Sequence, residues 1–62
     1  MILDIRFTDG HPVQYQKVRM TTIYTAYDGS AKPELVIHFY DMLYPQMNIE
    51  LRRIEAITTT ND

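Results

Sequence analysis

The sequence predicts an all-β fold, and three observations predict it. Ile, Val, Thr, Tyr and Phe dominate while Ala is scarce, which is the palette of a pleated, half-buried surface. Several short stretches alternate apolar and polar residues with the period of a strand, and Asp-Gly pairs at 9–10 and 28–29 separate them as turns. The expected architecture is a small curled antiparallel sheet or SH3-like barrel of about five short strands, a single domain over residues 1–62. An α+β alternative makes 46–57 a helix covering the sheet.

The first strand is Met1 to Thr8, with Leu3, Ile5 and Phe7 on one side and Asp4, Arg6 and Thr8 on the other. Asp9-Gly10 turns the chain, because glycine accepts a positive φ and the aspartate can cap the turn. Pro12 then opens the next strand or lies at an edge, since it has no N–H for a ladder. Val13 to Tyr27 is too long for one regular strand. Its alternation slips between Val13/Tyr15 and Val18/Met20, which requires a bulge or bend near Gln16-Lys17. Asp28-Gly29-Ser30 and Ala31-Lys32-Pro33 form the following loop.

Glu34 to Ile57 holds two dense apolar runs either side of Pro45 and reads as the central hairpin. Leu35, Ile37 and Phe39 share one face, and Val36, His38, Tyr40 and Met42 share the other, so both faces are partly apolar. Such a strand is central between two layers or carries a face meant for a partner. Met42 to Pro45 turns the chain. Met47, Ile49 and Leu51 then alternate with Gln46, Asn48 and Glu50, and a tight turn at Arg52-Arg53 leads to a last extended piece from Ile54. The helical alternative over 46–57 rests on the i, i+4, i+7 spacing of Met47, Leu51 and Ile54 and on the good helix formers around them. Residues 58–62 are expected to be a frayed polar tail.

Composition bounds the function. At 62 residues the chain has a small core, and with no cysteine it has neither disulfides nor thiolate chemistry. Two histidines without cysteine make a structural zinc site a poor fit, so no metal and no cofactor is expected. Six Lys plus Arg against eight Asp plus Glu give a net charge of −2, the wrong sign for a general nucleic-acid binder. A basic leader followed by a long apolar run is missing from the sequence, so the expectation is a cytoplasmic protein without membrane association.

No catalytic constellation emerges, and the protein is expected not to be an enzyme. His38, beside Asp41, and His11, next to a turn, have no nucleophile in a recognisable setting, and Asp41, Glu50 and Glu55 read as a solvated face. Asp41 and Glu50 are placed to approach across the hairpin. The expected role is a protein-binding or assembly module that self-associates as a homo-oligomer. Its interface candidates are His38, Tyr40, Met42, Tyr24 and Tyr27, because tyrosines bring large area at low entropic cost and a hydroxyl that tolerates water. The alternative is a small nucleic-acid-binding β-barrel in which Lys17, Arg19, Arg52 and Arg53 converge beside Tyr15, Tyr24 and Tyr27. Ala26-Tyr27-Asp28 with Glu34-Leu35 resembles the aromatic-acidic stretch that opens peptide-binding SH3 domains. The tryptophan with which those domains grip a polyproline helix is missing, and no binding residue carries over.

Overall fold

The computed structural model describes residues 1–26, 28–30 and 32–61. Six strands run in the order β1 (Ile2–Phe7), β2 (Pro12–Tyr15), β3 (Val18–Tyr24), β4 (Glu34–Phe39), β5 (Gln46–Glu50) and β6 (Ile54–Thr60), with a 3₁₀ turn at Leu51–Arg53 between the last two. They form two three-stranded antiparallel sheets, β2-β1-β6 and β3-β4-β5. The all-β class therefore holds.

β1 and β2 are joined by a hairpin in which Gly10 adopts φ 91° and the Asp9 carboxylate accepts the His11 N–H. The bent stretch predicted near Gln16-Lys17 is where the chain crosses from one sheet to the other. Lys17 sits there at φ 58°, in the left-handed region, and a second irregularity falls between Val18 and Met20. What reads as one long strand is thus two strands sharing a corner. The corner is tied to the N-terminus, as the Met1 ammonium donates to the Val18 carbonyl at 2.7 Å and the Val18 N–H donates back to Met1.

The helical alternative over 46–57 is overturned: β5 and β6 occupy most of it, and only three residues coil. Period two prevails because Ile49 pairs with Leu35 and Met47 with Ile37 across the ladder, whereas a helix would leave β4 without that neighbour. The expected frayed tail is also corrected in part. Thr58, Thr59 and Thr60 are rungs of β6 opposite Asp4, Leu3 and Ile2, since β-branched threonines suit a ladder whose side chains face water. Asp62 lies outside the described residues.

The two sheets face each other over one core. Leu3 and Ile5 from β1 meet Val18, Leu35, Ile37 and Ile49 from the other sheet, all buried. Phe7, Phe39, Tyr15 and Ile54 pack around them, with the Tyr15 and Phe39 rings 6.1 Å apart and tilted by 57°.

Candidate docking surface

β4 carries His38 and leads directly into the loop that carries Tyr40 and Met42, so its two faces come first. Its inner face carries Leu35, Ile37 and Phe39 into the core. On its outer face, Glu34, Val36 and His38 lie in three rungs: Met20–His38–Gln46, Thr22–Val36–Asn48 and Tyr24–Glu34–Glu50. Val36 is only 6% exposed, which accounts for the two-sided apolar pattern. Its ladder neighbours Thr22 and Asn48 are polar, and each is hydrogen-bonded on the same face. The Thr22 hydroxyl lies 3.1 Å from His38 Nε2, Gln46 Nε2 donates to Asn48 Oδ1, and Asn48 Nδ2 donates to Glu34 Oε1. The outer face is therefore a set of hydrogen-bonded polar side chains around Val36, with the partly exposed Met20 and Tyr24 at its β3 margin, and His38 is one of the bonded members.

The most exposed apolar side chains lie in the loop joining β4 to β5. Tyr40, Met42, Leu43 and Tyr44 are 65, 92, 83 and 75% exposed. The backbone that carries them is tightly held. The Asp41 carboxylate accepts the Leu43 N–H at 2.8 Å, the Phe39 N–H donates to the Pro45 carbonyl, and the Tyr40 N–H donates to the Lys17 carbonyl. At the foot of this loop is a hollow of about 310 Å³ lined by Gln16, Lys17, Phe39, Asp41, Tyr44, Gln46 and Met47.

Of the interface candidates, Tyr40, Met42 and His38 thus gather at one end of β4. Tyr24 is half-exposed at the other end, opposite Glu34, and Tyr27 lies outside the described residues. Sequence reading left out Leu43, because alternation carries no information once a strand has ended. The signal that could have found it is the run Met42-Leu43-Tyr44 directly before a proline, three large side chains in a segment that must turn.

The basic candidates do not converge. Lys17 and Arg19 lie at the corner beside Phe39, while Arg52 and Arg53 lie in the 3₁₀ turn, tied to the opposite end of β4 by the Leu51 N–H on the Pro33 carbonyl. Six strand residues, roughly 17–20 Å, separate the two pairs. Arg53 is stacked 5.6 Å over the Phe7 ring. Arg52 lies against Glu50 as a charge contact without hydrogen-bond alignment. Nor does Glu50 approach Asp41: the register sets it opposite Glu34, and Arg52 and Asn48 offset that like-charged rung.

Among the described residues, no group of three or more His, Cys, Asp or Glu side chains could hold a metal ion, and no helix is long and apolar enough to cross a membrane. Comparison with known proteins finds no matching family model, no matching curated protein and no matching solved structure.

Proposed function

We propose that this protein is a non-enzymatic binding and assembly module of the cytoplasm that docks onto a protein partner through the loop between β4 and β5 and also self-associates. The observation that carries the docking half is the exposure of Tyr40, Met42, Leu43 and Tyr44 on a loop whose backbone is fixed. Large side chains held open to water cost hydration free energy, and a rigid presentation lowers the entropy lost on binding. All four are large side chains more than half exposed, a concentration of apolar surface of the kind that marks interaction sites. The self-association half is supported by size, since a cysteine-free chain of 62 residues has few means of stabilising itself alone. A bent β2–β3 corner and a 3₁₀ turn before the last strand support reading the two sheets as an open SH3-like barrel.

The docking half is tested by placing a photo-reactive residue at Met42 and irradiating cells. A discrete protein adduct, absent when the same residue is placed at exposed Gln14 and competed away by unlabelled protein but not by a Met42→Ser/Leu43→Ser variant, is the expected result. Smeared or position-independent labelling removes the loop from the proposal. The double variant should keep its stability within about 0.5 kcal/mol of the original, as surface changes do. The self-association half is tested by light scattering, where a clean monomer at every concentration removes it.

A further inference from the structure

The sheets end in four edges, and three of them carry devices that discourage pairing. β2 is four residues long and begins with Pro12. β3 bears the positively charged Arg19 at its irregularity, and its first rung is taken by Met1, so its protection lies at its start, ahead of the regular Met20–Tyr24. β5 is five residues held between Pro45 and the 3₁₀ turn. β6 differs. Like β3 it is seven residues long, but it contains no Pro, Lys or Arg, is exposed from Glu55 to Thr60, and among the described residues pairs with β1 alone. Its single irregularity lies at the start, opposite Arg6/Phe7, which leaves Ala56–Thr60 as a regular free edge.

From this we infer that β6 is a homodimerisation edge, where Ala56–Thr60 pairs antiparallel with the same segment of a second copy to give a continuous six-stranded sheet. The inference rests on the self-association half of the proposed function and gives it a place. The occupant follows from symmetry. A twofold axis normal to the sheet keeps each face on its own side, so residues brought opposite one another must share a face. Centring the axis on Thr58 meets this over the whole regular segment: Thr58 faces Thr58, Ile57 faces Thr59, and Ala56 faces Thr60. Cross-strand threonines can hydrogen-bond, the 42%-exposed Ile57 gains a neighbour, and the strand's one charge, on Glu55, never meets its own copy.

The test is Thr58→Lys. In the monomer the new ammonium lies opposite Asp4, a favourable neighbour, so the fold should survive and circular dichroism should be unchanged. In the dimer two lysines are set directly against each other at the axis. Sedimentation of the unaltered protein from low to high micromolar concentration should show a rise from monomer to dimer mass that Thr58→Lys abolishes and Met42→Ser/Leu43→Ser does not. Amide exchange supplies a second measurement, in which protection within Ala56–Thr60 grows with concentration only in the unaltered protein. A dimer that Thr58→Lys leaves intact but the loop variant dissociates overturns the pairing alone. A monomer at every concentration overturns the pairing and the self-association half together, while the Met42 cross-link still decides the docking half.

Discussion

At the scale of single residues, Lys17 shows what the corner between the sheets costs. A lysine at φ 58° is about 1–2 kcal/mol less favourable than in ordinary backbone, because its Cβ crowds the following carbonyl. Glycine removes that crowding but costs about 0.5–1 kcal/mol in extra freedom of the unfolded chain. Lys17→Gly should therefore raise stability by up to about 1 kcal/mol in urea denaturation, and Lys17→Val should lower it by at least as much, since a β-branched residue tolerates this region worst. The sequence showed that a bend falls near Gln16-Lys17, because apolar phase slips there; it did not show which residue takes the left-handed turn, since no glycine marks it. Asp28 gives a second residue-scale expectation. Its carboxyl is held below 3.8 by the side chain and then the backbone of Ser30, whose N–H it accepts at 2.9 Å. A depressed folded-state pKa contributes stability that is present above 3.8 and lost as pH falls through the lower, folded value. Ser30→Ala should move the Asp28 titration up towards 3.8, as followed by carboxyl NMR.

At the scale of elements, strands were legible wherever one face is buried and the other is wet. Leu3/Ile5 in β1 and Ile49 in β5 are such cases, and period two identified both. Two kinds of element were harder. Thr58–Thr60 has no apolar alternate set, so its strand character comes from pairing with β1 and is invisible without that partner. Val36, His38, Tyr40 and Met42 in one phase predict a partly apolar outer face for β4. The strand ends at Phe39, however, so Tyr40 and Met42 leave the sheet, and only Val36 stays behind among polar neighbours from β3 and β5. A sequence gives the phase of a strand more readily than its last residue, and here the last residue decided that the exposed apolar side chains Tyr40 and Met42 stand on a loop instead of a face.

At the scale of the whole molecule, the two sheets have so small a common core that neither can stand without the other. Hydrogen-bonded ladders lie within each sheet, and what joins the sheets is chiefly the contact of Leu3 and Ile5 with Val18, Leu35, Ile37 and Ile49, plus the backbone tie between Met1 and Val18. A three-stranded sheet of this length is at the lower limit of independent stability. Ile37 is fully buried at the middle of β4, with Thr21 on one side and Met47 on the other. Removing its outer methyl groups deletes contacts that no neighbour can restore, and Ile37→Ala should cost about 2–5 kcal/mol. That is comparable to the whole stability expected of a domain this size. The expected outcome is loss of both sheets in one transition, seen as simultaneous disappearance of amide protection in β1 and β4. Survival of protection in β2-β1-β6 after β3-β4-β5 has melted would show that the sheets are held by something other than their common core.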